Sequence, residues 1–447
     1  GAKKNMGIAL KGITFTKPNS ALQKIITAML KHKTFVRPKD IAFAATSLLK
    51  FEPVIKELFQ QHSNGKLRQS IKHTVLALSE LPLLLELMRV CPLADLELET
   101  ALTDIRSGLL SCASEMTENR DLLHFKSALA LQCFTNEFVY EQNEGDTELL
   151  GELEANVNKI LSNGQQPSPQ SVLCLASYKA LHEYEWCDLL TVTSDIEEVF
   201  KRQAREPKQE ANIRLDIPVL EEITNNVSSK VREQYEANPY PRWVNLGLPL
   251  EPVTISKVIG EIKLKLFEYK VNEVDTPSIL IAGCGTGQHS IETAARFKNS
   301  NIIAIDLSLS SLAYAHRKTE ELKIQNINYI QADILDLGKL DRQFDIVESA
   351  GVLHHMDDPM AGWKVLTDCL KQGGLMKIGL YSELARQHII KMREEIAQSV
   401  NGSSDIEMKS FRKNIINSDK DYHKKILAFP DFYSLSELRD LLFHVQE

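Results

Sequence analysis

Apolar residues recur at helical spacing through the first 190 residues of the chain. From about Ala21 to Leu190, stretches such as "ALQKIITAMLKH" and "HTVLALSELPLLLELMRV" place apolar side chains three and four positions apart, which predicts amphipathic α-helices. Short polar connectors with proline, glycine or asparagine, such as "VRPKD" and "HSNGK", separate the stretches. No 34-residue period with repeated sequence emerges. The pattern therefore predicts an all-α domain over residues 1–194, built as an irregular, repeat-like helical array.

After Ile255 the pattern changes to short apolar runs that alternate with helical stretches. Runs such as "SILIAG", "NIIAIDLS" and "FDIVESAG" are apolar and rich in β-branched residues, and helical stretches such as "MAGWKVLTDCLKQ" lie between them. An amphipathic helix, "ISKVIGEIKLKLFEY", is predicted before the first run. Strands that alternate with helices are typical of parallel βαβ units. Residues 255–383 are therefore predicted to form a Rossmann-like α/β domain with a parallel sheet.

Two segments between these regions follow neither pattern. Residues 195–216 are densely charged, which indicates a linker or a solvated helix. In "VREQYEANPYPRW", residues 231–243, two prolines end the helical spacing and present Tyr240 and Trp243. The aromatic side chains of such a segment can pack against a domain and so hold a linker in place. The segment can also bind in another protein's groove or close over a small-molecule site. Residues 195–254 are interpreted as a linker with an aromatic, proline-containing lid.

Three glycines at alternate positions lie between the first predicted strand and the helix that follows it. In "ILIAGCGTGQ", Gly283, Gly285 and Gly287 permit a tight turn, close approach of a ligand to the backbone, and close packing of the next helix. Asp306 ends the next strand about 20 residues on, where a carboxylate can accept hydrogen bonds from both ribose hydroxyls. Asp333 follows the third strand, where it can meet an adenine amino group. The spacing predicts a nucleoside-binding site.

The residues after the glycines exclude two common nucleotide-binding loops. No G-K-[ST] follows them, so the turn is not a triphosphate-binding loop. The dinucleotide pattern G-x-G-x-x-G also fails, because His289, Ser290 and Ile291 follow the last glycine. The sequence therefore gives less support to an NAD-binding or FAD-binding site.

Composition narrows the class of protein further. A length of 447 residues predicts two or three domains, and no apolar stretch approaches the roughly 18 residues that cross a bilayer. The seven cysteines are scattered without a C-x-x-C pair, which argues against a disulfide framework or a zinc site and for a reducing cytoplasm. A formal net charge of −8 gives no reason to expect a nucleic-acid partner.

Five sequence motifs of the chain resemble, in order, those of a known enzyme family. "ILIAGCGTGQ", Asp306, "QADIL", "FDIVESAGVLHHMDDP" and "LKQGGLMKIGLY" are similar, in order and spacing, to the motifs of class I S-adenosylmethionine-dependent methyltransferases. "LALQCFTNEFVY" and "VREQYEANPYPRW" are similar to bacterial proteins that fuse tetratricopeptide repeats to such an enzyme. Ala282 stands where many members carry an acid. The resemblance implies an S-adenosylmethionine cofactor, the product S-adenosylhomocysteine, and the following cofactor-binding residues: Gly283, Cys284, Gly285, Gly287, Asp306, Leu307, Asp333, Ile334, Ser349 and Ala350.

Methyl transfer needs alignment of the reactants, and a base only where the acceptor must lose a proton. His354 and His355, at the exit of the fourth strand, are candidates for that base, although one of two adjacent histidines ordinarily packs away from a site. Tyr235 and Tyr240 are candidate catalytic residues on the lid, where Arg242 would contact an anion and Trp243 would complete an aromatic wall. No metal site is expected, because Asp357 and Asp358 next to the histidines suit a helix cap better than convergent ligands.

Features outside the cofactor motifs bear on the methyl acceptor. Residues 384–447 are predicted to be a helical lid that selects the substrate, with a C-terminal part and N-terminal repeats missing from this chain. The large helical region suggests a protein or peptide substrate. "SAGV" stands where adenine-amine and glutamine methyltransferases carry N-P-P-[YF], which disfavours those acceptors. The alternatives are a small-molecule or glycan methyltransferase, whose helical domain forms a homodimer or shapes the pocket, and a non-catalytic S-adenosylmethionine-binding scaffold.

Overall fold

The structure is a computed structural model that describes residues 2–113, 119–267, 270–399 and 402–445. Its residues fall into two compact units. The first comprises Gly1–Lys208, Trp243–Gly247 and Ser399–Arg439, and the second comprises Gln209–Arg242, Leu248–Gln398 and Asp440–Glu447. Both units are therefore discontinuous in sequence, whereas the predicted domains are continuous. As divisions of folding or function, the predicted boundaries stay predictions.

The chain up to residue 216 is helical, as the apolar spacing predicts. Its α-helices are α1 (Ala2–Leu10), α2 (Ser20–Leu30), α3 (Pro38–Leu49), α4 (Pro53–Ser63), α5 (Ile71–Ser79), α6 (Pro82–Val90), α7 (Leu96–Ser111), α8 (Arg120–Thr135), α9 (Glu144–Ser162), α10 (Pro169–Ala176), α11 (Glu197–Phe200) and α12 (Glu206–Asp216). A π-helical turn, Lys201–Arg205, joins the last two. The charged segment predicted as a linker or solvated helix is thus helical.

Helix α8 lies at the centre of the first unit. It packs against α5, α6 and α10, and its side chains from Phe125 to Leu131 are almost entirely buried. Proline begins three neighbouring helices, α3, α4 and α6, where its missing N–H costs no hydrogen bond. Pro82 also divides the stretch predicted as one helical run into α5 and α6, because a proline ring cannot continue the preceding helix.

The second unit is built on a sheet of five parallel strands. Its elements are α13 (Asn226–Ala237), α14 (Ile255–Glu261), β1 (Ser278–Ala282), α15 (Gln288–Arg296), β2 (Asn301–Asp306), α16 (Leu309–Glu321), β3 (Ile327–Gln331), β4 (Phe344–Ala350), α17 (Pro359–Asp368), β5 (Leu370–Gly379) and α18 (Gln387–Ser399). The strand order is β3-β2-β1-β4-β5. Both the parallel sheet and the alternation of strands with helices confirm the predicted Rossmann-like fold.

Successive residues of β1 enter opposite cores. Ile279 and Ile281 pack with residues of α15 and α16, while Leu280 and Ala282 pack with residues of α17 and β4. All four are fully buried, which explains why the run reads as continuously apolar. The strand order reverses between β1 and β4, and ligands of open α/β sheets bind at such a reversal, at the carboxyl ends of the strands.

Two predicted element boundaries differ from the structure. Helix α14 ends at Glu261, well short of the predicted amphipathic helix, because Ile262, Leu264 and Phe267 find no core and remain exposed; residues 268 and 269 lie outside the described part. The end of "MAGWKVLTDCLKQ" belongs to β5 rather than to a helix, because Leu370 pairs with Phe344 of β4. The predicted cap is confirmed, since the Asp358 carboxylate accepts hydrogen bonds from the N–H groups of Met360 and Ala361.

The chain after residue 399 adds only helices to the described part. These are α19 (Asp405–Ile416), α20 (Asp421–Ile426) and α21 (Leu435–Leu442). Residues 399–439 belong to the compact unit that contains the N-terminal helices. Within that unit Arg412 forms two hydrogen bonds of 2.6 Å with the carboxylate of Glu99. Across the residues that the structure describes, no helix has the length and apolar character to span a bilayer.

Candidate functional site

One cavity of about 260 Å³ lies within the second unit, at the carboxyl ends of β1 to β4. Its wall contains many of the residues singled out from the sequence, and they come from positions as far apart as 235 and 355. The predicted residues that line it are Tyr235, Tyr240, Gly283, Cys284, Gly285, Asp306, Leu307, Asp333, Ile334, Ala350 and His355. The wall also contains residues that the sequence did not indicate, among them His289, Tyr381 and Asp440.

The glycine turn forms the tightest part of the wall. Gly283 has φ +75°, and a Cβ atom there would lie 2.3 Å from Cγ2 of Val352. Gly285 has φ +52°, and a Cβ atom there would lie 2.7 Å from the carbonyl oxygen of Tyr240. Neither position therefore accepts a side chain without strain. Val352 and the Tyr240 carbonyl therefore pack directly against the turn, whose backbone lines the cavity without side chains of its own.

Gly287 has a different role from the other two glycines. It precedes α15, and a Cβ atom there would lie 2.7 Å from Cβ of Ala315 in α16. Gly287 does not line the cavity. Its structural contribution is the close packing of two helices, and the predicted contact with a cofactor remains a prediction.

Asp306 links the end of β2 to the glycine turn. Its Oδ2 atom accepts a hydrogen bond of 2.8 Å from the N–H of Gly285, and its Oδ1 atom accepts one of 3.0 Å from the N–H of Ser308. Burial raises the pKa of this carboxyl above its usual value, while the hydrogen bonds from Ser308 and Gly285 oppose the rise. A carboxylate offers about four acceptor sites, so Asp306 can hold the turn and still accept from a ligand's hydroxyls.

The third and fourth strands supply the adjoining wall. Asp333 is buried after β3, and its Oδ1 atom accepts a hydrogen bond of 3.0 Å from the N–H of Leu335. This bond fixes the start of a 3₁₀ turn, Ile334–Leu340. Apolar Ile334 and Leu307 line the cavity beside the carboxylate. Apolar surface next to a single acceptor suits a flat, partly polar ring such as a nucleobase.

A second set of polar and aromatic side chains lies at the same cavity, partly or fully buried. Tyr235 donates its hydroxyl proton to Oδ1 of Asp440 at 2.7 Å, and its oxygen lies 3.0 Å from Nε2 of His444. The ring of Tyr235 stacks on Tyr240 at 6.4 Å, and His355 stacks on His444 at 3.7 Å. Burial, together with the charge of Asp440, raises the pKa of Tyr235 well above its ordinary value. Tyr235 is therefore a neutral hydrogen-bond donor at physiological pH.

The two adjacent histidines lie in different environments. His355 is buried and lines the cavity, whereas His354 does not line it and packs against the ring of Tyr381 at 4.5 Å. Burial and the nearby Arg386 and Arg393 lower the pKa of His354 to about 4, so its ring is neutral at physiological pH. Of the pair, His355 alone is brought to the cavity, and a catalytic role for either histidine remains a prediction.

Three further predicted residues lie away from the cavity wall. Ser349 is 1% exposed on β4, one residue before the strand's last position. Arg242 belongs to the second unit but not to the cavity wall. Trp243 is buried in the segment Trp243–Gly247 of the first unit, where Leu246 donates a hydrogen bond to the carbonyl of Lys33. The chain joins the helical unit directly after Arg242, which is why the predicted aromatic wall stops at Tyr240.

The N-terminal turn of α15 adds a hydrogen bond between a histidine and a buried glutamate beside the cavity. His289 lines the wall, and its Nε2 atom lies 2.6 Å from Oε2 of Glu348 on β4. Thr293 donates a further hydrogen bond of 2.9 Å to the same oxygen. Burial alone would raise the pKa of Glu348. The hydrogen bond and charge of His289 outweigh burial and hold this pKa at about 2. A charged residue within a predicted strand was the sequence signal for this pair.

Comparison with known proteins agrees with this geometry. Residues 279–374 match a family described as methyltransferase domain. An uncharacterized protein of Synechococcus sp. is 36% identical over 126 residues, which are 28% of this chain and 30% of that protein. Release factor glutamine methyltransferase of Fusobacterium nucleatum is 30% identical over 135 residues, 28% of this chain and 38% of that enzyme.

Similarity to solved structures covers a comparable part of the chain. The structure of PKMT2 from Rickettsia typhi in complex with AdoHcy is 22% identical, covers 40% of this chain and 37% of that one, and has a TM-score of 0.30. This chain spans roughly a third of the length of the curated relatives that match it first. The matched segment contains the glycine turn, Asp306, Asp333 and His355. The chain therefore carries a class I S-adenosylmethionine-dependent methyltransferase domain.

Proposed function

We propose that this protein transfers the methyl group of S-adenosylmethionine to a nucleophile on a protein or peptide substrate. The observation that supports methyl transfer is that a single cavity is lined both by the residues suited to a nucleoside and by side chains that can bind or donate a proton. Asp306 and Asp333 belong to the first, and Tyr235, His355 and Asp440 belong to the second. The first would hold the cofactor in line with the acceptor, and the second could take a proton from an acceptor that must lose one.

The residues present fit the cofactor. Gly283 and Gly285 line the cavity with backbone alone, so a ligand in the cavity can approach the turn closely. Asp306 would accept hydrogen bonds from the ribose hydroxyls, and Asp333 would accept one from the adenine amino group, with Leu307 and Ile334 against the ring. When bound, the cofactor supplies an electrophilic methyl group on a sulfonium. The protein's part is to align this methyl group with the acceptor and to exclude water.

Support for a macromolecular acceptor comes from the size of the helical unit. It comprises Gly1–Lys208 and two later segments, and helical arrays of this kind commonly bind other proteins. The relative from Fusobacterium nucleatum is named as acting on a release factor. A small-molecule acceptor is the second candidate, which the cavity volume of about 260 Å³ can accommodate beside part of the cofactor only if the acceptor is small. (S)-Coclaurine N-methyltransferase of Papaver somniferum, 26% identical over 113 residues, is a relative of that type.

The destination of the methyl group separates these acceptors. Methyl-labelled S-adenosylmethionine would be incubated with the protein and an undialysed bacterial extract, which retains small-molecule acceptors. The unreacted cofactor, which is itself filterable, would be removed by chromatography, and the label in product would be counted in macromolecular and filterable fractions against a reaction without the protein. Protease-sensitive label in the macromolecular fraction supports the proposal, and label in the filterable fraction supports the second candidate. The Gly285→Ala variant is the negative control, because its Cβ atom would lie 2.7 Å from the carbonyl oxygen of Tyr240. Cofactor binding without any transfer would favour a non-catalytic scaffold.

Further properties belong to the same proposal. A bacterial source, a cytoplasmic location and fusion to tetratricopeptide repeats are inferred from the resemblance and from the cysteine pattern. A homodimer through the helical unit is the expected assembly if that unit does not bind the substrate. Sedimentation of the full chain would decide the assembly, since a monomer at micromolar concentration would contradict the dimer.

A further inference from the structure

The cavity wall contains a carboxylate, Asp440, that lies 59 residues beyond Tyr381, the end of the last methyltransferase motif. Asp440 lies in the last turn of α21 and is 9% exposed. Arg393 of α18 donates hydrogen bonds to the backbone carbonyls of Asp440 and Leu441, at 3.2 and 2.8 Å. These bonds fix the backbone that carries the carboxylate.

The hydrogen-bond directions around Asp440 follow from the chemistry of the groups. An ionised carboxylate only accepts, so the hydroxyl of Tyr235 donates to Asp440 at 2.7 Å. That hydroxyl has no second proton, so Nε2 of His444 must donate to the Tyr235 oxygen at 3.0 Å. His444 thus donates to Tyr235, Tyr235 donates to Asp440, and the carboxylate of Asp440 is the final acceptor. Negative charge is stabilised at Asp440, and the Tyr235 proton is held in place.

The same cluster does not suit a metal ion. His355, Asp440 and His444 bring donor atoms within 4.8 Å of one another. However, the rings of His355 and His444 are stacked, with centroids 3.7 Å apart and planes inclined by 17°. A histidine nitrogen binds a metal in the plane of its ring, and two nearly parallel planes do not meet at one ion. The stack leaves proton transfer as the chemistry that this cluster supports.

We propose that Asp440 is the catalytic base of this enzyme, a proposal that rests on the proposed methyl transfer. The acceptor atom, a nitrogen or oxygen that still carries a proton, forms a new bond to the methyl carbon. The bond between that carbon and sulfur breaks, its electron pair stays on sulfur, and the acceptor's proton passes to the Asp440 carboxylate. Tyr235 and Arg393 are positioning residues. Tyr235 is not itself the base, because its proton is engaged and its hydroxyl is neutral.

A cofactor analogue tests this without a known acceptor. Sinefungin carries a protonated amine on the carbon that replaces the sulfur of the cofactor, so it presents N–H donors where the acceptor meets the methyl group. A hydrogen bond to a charged group contributes roughly 1.5–3 kcal/mol, about 10- to 100-fold in affinity. Calorimetric titration of the full chain should therefore show sinefungin binding at least about tenfold more tightly than S-adenosylhomocysteine.

Three variants assign this preference to a residue. Asp440→Asn should bring the two affinities to within about threefold of each other, with S-adenosylhomocysteine binding as in the wild type. Tyr235→Phe should lower the preference by a few-fold, which keeps the test valid if the first variant does not fold. Asp358→Asn is the matched control, because that carboxylate caps α17 and does not line the cavity. It should leave the preference unchanged.

The outcomes distinguish this proposal from the proposed function. If the folded wild type does not bind S-adenosylhomocysteine, the proposed methyl transfer fails. If it binds but shows no preference for sinefungin, or if Asp440→Asn keeps the preference, the assignment of Asp440 is overturned. Loss of the preference in His355→Gln but not in Asp440→Asn would also overturn it, and would assign the base to His355.

Discussion

Replacing Glu348 by glutamine should make the stability of the second compact unit, which contains the methyltransferase domain and is called the methyltransferase unit below, less dependent on pH. Glu348 lies on β4 with its side chain 5% exposed, and it accepts hydrogen bonds from His289 at 2.6 Å and from Thr293 at 2.9 Å. The Nζ atom of Lys377 lies 3.9 Å away. The buried carboxylate thus accepts from an imidazole N–H and a hydroxyl and lies near an ammonium group, so its ionised form is stabilised in the folded state.

The pKa of Glu348 sets the magnitude and the direction. It falls from 4.5 to about 2 on folding, and at 1.36 kcal/mol per pKa unit this corresponds to about 3 kcal/mol of stability at pH 7. Because the folded pKa is the lower one, this contribution is complete above pH 4.5 and is lost as the pH falls towards 2. About 2 kcal/mol of it should be lost between pH 7 and pH 3.

Hydrogen exchange of the peptides that cover β4 and α15 measures this locally, at pH 7 and pH 3. At pH 7, Glu348→Gln should open more readily than the wild type by about 2 kcal/mol, because the amide keeps hydrogen bonds but not the charge. At pH 3 the difference should nearly vanish. Asp368→Asn is the control, since its ion pair with Lys364 is exposed and should contribute below about 0.5 kcal/mol. Equal pH dependence in Glu348→Gln and wild type would refute the reasoning.

Three further predictions concern the glycine turn after β1, the Arg412–Glu99 pair of the first unit, and the Asp440–Tyr235 hydrogen bond. Gly283→Ala should lower stability by about 2–4 kcal/mol, because of its φ of +75° and the contact with Val352, whereas Gly338→Ala in open space should not; thermal melting of both variants checks this. Arg412→Met should cost about 3–5 kcal/mol by leaving Glu99 buried without its partner, and a Glu99→Met second change should restore most of it in denaturant unfolding. Asp440→Asn should lower the pKa of Tyr235, because a neighbouring negative charge is removed; NMR titration of ring-labelled tyrosine would show no change if the two groups do not interact.

The sequence predicted the elements of the methyltransferase unit well, because each depends on local pattern. Buried parallel strands read as apolar runs, and the turn after β1 requires glycine at φ angles that other residues avoid. The position of Asp306 followed from the same logic, since parallel strands end at one edge of the sheet. The shortened α14 was not predictable in this way, because its apolar spacing continues although no core receives those side chains.

Contacts between distant parts of the chain were not predictable from pattern. Asp440 reaches the cavity from near the end of the chain, and "LSELRDLLFH" carries no signal for a site. Tyr235 and Tyr240 were singled out as unusual aromatics, yet nothing in the sequence indicated that Trp243 would join the other compact unit. Such placements depend on tertiary packing rather than on propensity or spacing.

The most direct test of the account is calorimetric titration of the full chain with S-adenosylhomocysteine, alongside Asp306→Asn. Asparagine loses the charged acceptor for the ribose hydroxyls and keeps an acceptor for only one of the N–H groups of Gly285 and Ser308. Thermal melting of the variant is therefore measured first, and only a variant that melts cooperatively is titrated. Asp358→Asn controls for removal of a capping carboxylate outside the cavity. The account predicts micromolar binding by the wild type and the control, and at least about tenfold weaker binding by Asp306→Asn. A folded wild type that does not bind, or equal binding by all three proteins, would contradict it.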